Sequence, residues 1–221
     1  HLPEKEAMEH AKELVYEYVL AGFTKIHIDT SMRLADDDSN ARLSDEIIAE
    51  RSSELCLVAE NAYKERVKKI PDSVKPVYVI GSEVPIPGGE QEIVNEISVT
   101  KPEEFHNTMK VFRDKYAEKG LNDAWSRVIG VVVQPGVEFG DSSVHIYNRQ
   151  KSKAITDALK DYPNLVFEGH STDYQTAESL KEMVEDGIAI LKVGPALTYA
   201  LREALISLEN IEKELLRGKG I

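Results

Sequence analysis

VFEGHSTDYQ, residues 166–175, opens with two apolar strand formers, Val166 and Phe167, and runs through Glu168, Gly169 and His170 into Ser171, Thr172 and Asp173. The first residues suit a buried strand, and those that follow can bond, coordinate or exchange protons. A strand that ends this way places chemistry on the rim of a sheet. The pattern recurs. KIHID (25–29), PVYVIGSEV (76–84), RVIGVVVQ (127–134), NLVFEGH (164–170) and IAILKV (188–193) are short runs rich in Val and Ile. They finish in Asp29-Thr30-Ser31, Glu83-Val84-Pro85, Gln134-Pro135-Gly136, His170-Ser171-Thr172 and Lys192-Val193-Gly194-Pro195.

Between these runs, helical periodicity predicts helices over about 4–21, 43–68, 101–118, 148–161 and 175–185, with a last one at about 197–216. Thr100-Lys101-Pro102-Glu103 carries a cap candidate, a first-turn proline and acids at the positive end of the helix dipole. Gly22 supplies a C-terminal stop to the first helix. Strands apolar on both faces and separated by helices imply a parallel sheet covered on both sides, either doubly wound or a barrel. A barrel gathers side chains from many strand ends at its C-terminal mouth, whereas a doubly wound sheet concentrates its ligand at one switch point. Five functional rims, and no glycine-rich nucleotide loop after the first strand, favour the TIM (β/α)8 barrel. Such a barrel typically needs about 250 residues. Five units over 221 residues are expected to form one partial domain, 1–221, supplying about strands 4 to 8.

The net charge is −12, from 39 acids against 27 bases, which argues against a nucleic-acid surface. No apolar run approaches the roughly 18 residues of a membrane helix. Cys56 stands alone, so there is neither a disulfide framework nor a cysteine metal cluster. The first residues, HLPEKEAMEH, have no basic and apolar leader pattern, and a cytoplasmic location is expected.

HIDTSMRLADDD, YVIGSEVPIPGGE, VVVQPGVEFGD, FEGHSTDYQT and ILKVGPALTYALREAL, in that order, resemble the GatZ/KbaZ-type subunit of D-tagatose-1,6-bisphosphate aldolase over nearly the whole chain. The family is similar to class II aldolases, zinc-dependent barrels in which a histidine-held metal polarises a ketose carbonyl and an acid moves protons. The resemblance makes His170 the metal candidate. Gln134 stands where a second histidine is expected, and a neutral amide oxygen is a poor zinc ligand. His1 is a remnant candidate for the third. The implied cofactor is at most a zinc ion at an incomplete site.

Beside the resemblance, each residue carries a plainer alternative. Glu168 and Asp173 either orient the His170 imidazole, or Glu168 pairs with Lys192 on the neighbouring strand. Asp29 and Glu83 are the catalytic acid candidates, Asp29 doubling as a loop cap. Asp36-Asp37-Asp38 reads as a solvated turn in preference to a magnesium site. Val84 to Glu90 combines two prolines with two glycines, as a lid or a docking surface would. Ser171, Thr172, Asp173, Lys192 and Gly194 lie where barrels bind phosphate with loops and a helix N-terminus. The resemblance implies a non-catalytic subunit that stabilises or activates a catalytic GatY/KbaY-type partner in galactitol, tagatose or N-acetylgalactosamine catabolism, with a sugar phosphate as ligand. The alternative is a metal-dependent ketose-bisphosphate aldolase in its own right. A tagatose-6-phosphate kinase ranks third, because no phosphate-cradling loop is visible.

Overall fold

The computed structural model describes residues 2–39, 41–82 and 97–219. Glu83, the Val84 to Glu90 loop and His1 lie outside the described residues. The strands are β1 (Lys25–His27), β2 (Val77–Ile80), β3 (Val128–Val133), β4 (Glu138–Phe139), β5 (Val144–His145), β6 (Val166–Gly169) and β7 (Ile188–Leu191). β1, β2, β3, β6 and β7 are the five expected runs, and they pair all-parallel in that order. β4 and β5 form a small antiparallel hairpin that periodicity does not reveal, since two residues per strand cannot establish a period.

The helices are α1 (Glu4–Ala21), α2 (Asp45–Lys69), α3 (Pro102–Glu118), α4 (Asn122–Trp125), α5 (Arg149–Ala158), α6 (Ala177–Glu185) and α7 (Pro195–Leu216). Their ends follow from capping chemistry. Ser44, Asn148 and Thr176 accept N–H groups of the first turns of α2, α5 and α6. α3 starts at Pro102, with the Glu104 carboxylate reaching back to the Lys101 amide at 3.1 Å. Gly22 ends α1 at φ 102°, where a Cβ would meet the Arg66 guanidinium at 2.7 Å. Arg66, in the last turn of α2, donates to the Leu20 carbonyl. One glycine and one arginine thereby fix how α1 leaves α2.

Alternation along the strands sorts the sheet into two faces. Ile26, Tyr78, Ile80, Val131, Phe167 and Ile188 are buried beneath the helices. Phe167 meets the Phe105 ring of α3 edge-on at a centroid distance of 5.0 Å. Register places Lys25, His27 and Val79 on the other face, with Val132, Glu168 and Ile190. Gly81 and Gly130 thin this face: a Cβ on Gly81 would lie 2.8 Å from that of Val132. β2 and β3 separate β1 from β6, so in a flat sheet their backbones would stand roughly 14 Å apart. Yet His27 and Glu168 are in hydrogen-bond contact at 2.8 Å. The sheet therefore curves, with this second face on its concave side.

α7 buries none of its residues. Leu197, Leu201, Leu205, Leu208 and Leu215 form an exposed apolar stripe along it, a surface of the kind that partners cover. Among the described residues no helix is long and apolar enough to cross a membrane.

Candidate functional site

The concave face centres on Glu168, whose side chain is completely buried. Its Oε1 accepts from His27 Nδ1 at 2.8 Å and from His170 Nε2 at 2.9 Å. Oε2 accepts from Lys25 Nζ at 3.2 Å. Lys192 Nζ stands 3.9 Å from Oε1. Burial alone would raise the Glu168 pKa, but hydrogen bonds from His170 and His27, with the nearby charge of Lys25, outweigh it and hold the carboxyl well below its usual range. The group is an anion at neutral pH. An ionised carboxylate only accepts, so the ring nitrogens facing it carry hydrogen. Both imidazoles are thereby fixed in orientation, their rings 5.6 Å apart.

Of the residues predicted from sequence, His170, Glu168 and Lys192 meet here, and the two alternatives for Glu168 coexist: it holds the imidazole and faces Lys192. Asp29 does not join them. Its Oδ1 accepts from the Ser31 amide and hydroxyl, closing a local turn. Gln134 folds back likewise, its Oε1 accepting from the amides of Gly136 and Val137 at 2.9 and 3.0 Å. Ser171 and Tyr174 adopt positive φ, which turns the chain after β6 sharply. Thr172 donates its hydroxyl to the Lys192 carbonyl at 2.9 Å. Asp173 Oδ1 accepts from the amides of Gly194 and Ala196, at 3.0 and 2.9 Å, at the start of α7. The loop after β6 is thus pinned to the loop after β7, and a carboxylate of the chain itself already sits on two of the amides at that helix end.

His27 and Lys25 are the residues missed in the sequence. The signal was the alternation in KIHID, which puts Lys25, His27 and Asp29 on one face and Ile26 and Ile28 on the other. Their meeting with Glu168 depends on the curvature of the sheet.

The acidic run is structural. Asp37 receives Arg51 through both carboxylate oxygens, at 2.9 and 2.7 Å, and Arg51 also reaches Glu4 at 3.0 Å. The Arg51 hydrogen bond lowers the Asp37 pKa against the opposing effect of burial. A depressed folded-state pKa contributes stability above the unfolded value of about 3.9, and this is lost as pH falls through the lower folded one. The stability gap between wild type and Asp37→Asn, followed by urea unfolding, is accordingly expected to be constant from neutral pH to about pH 5 and to close below pH 4.

His27, Glu168 and His170 offer two nitrogens and one oxygen within 4.8 Å of one another, a donor set that could hold a metal ion. Two imidazoles and a carboxylate with an open fourth position are the ligands of one class of catalytic zinc site. Against this, Lys25 and Lys192 bring two ammonium groups to the same carboxylate. At about 5 Å each would repel a dication by roughly 7 kcal/mol at an effective dielectric near 20.

A family model described as D-tagatose-1,6-bisphosphate aldolase subunit GatZ/KbaZ-like matches residues 1–220. The chain belongs to this family. Among solved structures, it is similar to a probable tagatose 6 phosphate kinase from Sinorhizobium meliloti 1021, at 44% identity and a TM-score of 0.81 over 99% of this chain. The match takes in 50% of that protein, so the GatZ/KbaZ-like chain spans about half the length of its relative. A second structure, the apo homocysteine methyltransferase MmuM from Escherichia coli, gives a TM-score of 0.40 at 13% identity over 84% of this chain, too distant to inform fold or function.

Proposed function

We propose that the chain is part of a non-catalytic barrel subunit that stabilises and activates a catalytic, zinc-dependent tagatose-bisphosphate aldolase subunit. The observation that carries this is the state of Glu168: the carboxylate of the one compact His/Glu group among the described residues is occupied by two imidazole N–H groups and a lysine. Gln134 and Asp29, at strand ends where a metal aldolase would place ligands and acids, bond to their own backbone turns. A rim organised in this way holds itself together in preference to a substrate carbonyl and a zinc ion.

The barrel itself is supported by three features. Strand order follows chain order with no reversal, the sheet is curved, and α7 presents an apolar stripe suited to further barrel elements. Lys192 gives the sugar-phosphate part of the proposal its charge, flanked by Ser171, Thr172 and Gly194, while Asp173 orders the start of α7. The test is co-expression with the catalytic subunit. Co-purification, a higher melting temperature of the partner and at least a several-fold gain in retro-aldol activity are expected, with negligible cleavage by this chain alone in added zinc.

A second reading, a metal-dependent ketose-bisphosphate aldolase in its own right, is favoured by the His27, Glu168 and His170 donor set. Near-stoichiometric zinc, lost together with cleavage activity in His27→Ala and His170→Ala, would establish it and displace the first. The kinase named for the S. meliloti relative has weaker support here, since the sequence carries neither a G-x-x-x-x-G-K-[ST] nor a G-x-G-x-x-G phosphate-loop pattern.

A further inference from the structure

The apolar stripe of α7 has a register of its own. Leu197, Leu201, Ala204, Leu208, Ile211 and Leu215 are spaced alternately four and three residues apart, the repeat that keeps one seam of a helix turned toward a second helix. The five large side chains among them are 56–66% exposed, and Leu205 beside the seam is 58% exposed. The charged pairs lie off this seam and close within the chain's own turns: Arg202 with Glu203, Lys213 with Glu209, and Arg217, just past the helix, with Glu214. The pattern also reads the same in both directions about Ile206. Leu197 mirrors Leu215, Leu201 mirrors Ile211, and Ala204 mirrors Leu208.

We propose that α7 is a self-association surface, occupied by α7 of a second copy packed antiparallel about a twofold axis level with Ile206. A twofold contact requires a patch that matches itself, and the mirrored seam does. Reversal sets Leu197 opposite Leu215 of the second copy, Leu201 opposite Ile211 and Ala204 opposite Leu208, so the one small residue meets a large one. A parallel pair would set Ala204 against its own counterpart and leave a gap between two leucine layers. The positions flanking the antiparallel seam meet without like charges: Glu212 faces Thr198, Glu214 faces Ala200, and Leu205 faces its counterpart across the axis. Burying the six large side chains removes on the order of 100 Å2 each, about 1,200 Å2 over both copies, which reaches the lower limit of a specific interface. A lipid surface fits less well. Between residues 195 and 216 four acids stand against two bases, the reverse of the balance in a membrane-surface helix. The charge of −12 on each copy opposes association at long range, and added salt screens that repulsion.

The inference does not rest on the proposed function. Analytical ultracentrifugation of the full chain over micromolar concentrations is expected to show a monomer–dimer equilibrium that tightens as salt is raised. Leu208→Glu should weaken the dimer at least about a hundredfold, because it seats a carboxylate twice in the apolar seam. Its circular dichroism should match wild type, since Leu208 is exposed in the single chain. Leu14→Glu, at a comparably exposed apolar position on α1, should dimerise like wild type. Ala204→Leu separates the two orientations: it overpacks an antiparallel seam and should weaken the dimer about tenfold, whereas it would tighten a parallel one. Under mild oxidation, Leu197→Cys mixed with Leu215→Cys should give a crosslinked dimer that neither variant gives alone, and Cys56 is buried away from the reaction. A monomer at every concentration, a dimer untouched by Leu208→Glu, or crosslinking of Leu197→Cys with itself would overturn the inference. Flotation of a monomer with phosphatidylglycerol vesicles would do the same by giving the stripe to lipid. A monomer that still activates the catalytic chain, its stripe covered by that chain or by further barrel elements, would sink self-association and leave the proposed function standing. A dimer that neither binds nor activates the catalytic chain would do the reverse.

Discussion

Glu168→Gln is expected to destabilise the protein by about 3 kcal/mol and to lower its melting temperature by roughly 6–12 °C at this chain length. The carboxylate is fully buried and accepts from three donors, with a second lysine at 3.9 Å. Glutamine keeps the shape but presents one acceptor oxygen and an NH2 group, so its N–H groups must face either the Lys25 ammonium, which cannot accept, or the two imidazole N–H groups, which must then change tautomer. Removing one partner of a buried ion pair typically costs about 3–5 kcal/mol. The low end applies because Lys25 and Lys192 are half exposed and can return to water. Urea unfolding of wild type and variant at pH 7 measures the difference. A change below about 1 kcal/mol would mean that the cluster adds no net stability, as exposed ion pairs commonly do not.

How much of this site was legible from sequence depends on whether the determining interaction was local. The five strands, their order along the chain and the polar residues at their ends follow from alternation and from turn chemistry, and His170, Glu168 and Lys192 were legible for that reason. Lys25 lies 143 residues from Glu168, and only the curvature of the assembled sheet brings them together. Asp29 and Gln134 illustrate a local effect. Each stands at a strand end where a functional group is expected, yet each is followed within two residues by a donor that its own side chain can reach, Ser31 and Gly136. A short polar side chain beside a tight turn is captured by the backbone before it can serve a ligand. The hairpin of β4 and β5 escaped because two-residue strands carry no period, and Asp37 because Arg51 reaches it from a helix whose face cannot be assigned before packing is known.

The other large effect is expected on the opposite face of the sheet, where Glu60→Ala should cost about 3–5 kcal/mol by stranding a buried partner. Glu60, on α2, accepts from the Tyr78 hydroxyl and from Arg127 Nη2, the latter at 2.7 Å. Arg127 lies over the Tyr78 ring, 5.6 Å from its centroid, and its Nε is already buried without a partner. Burial, together with the hydrogen bond to Glu60, pushes the Tyr78 phenol far above its usual pKa, so it stays a neutral donor. Truncation leaves a buried hydroxyl and a mostly buried guanidinium facing an empty site, with the exposed Asp123 as the remaining carboxylate for Arg127. Replacing both charges by apolar residues of similar volume, Glu60→Met with Arg127→Met, should recover much of the loss, because neither desolvated charge then remains. The non-additivity of this double-mutant cycle gives the coupling between the two residues.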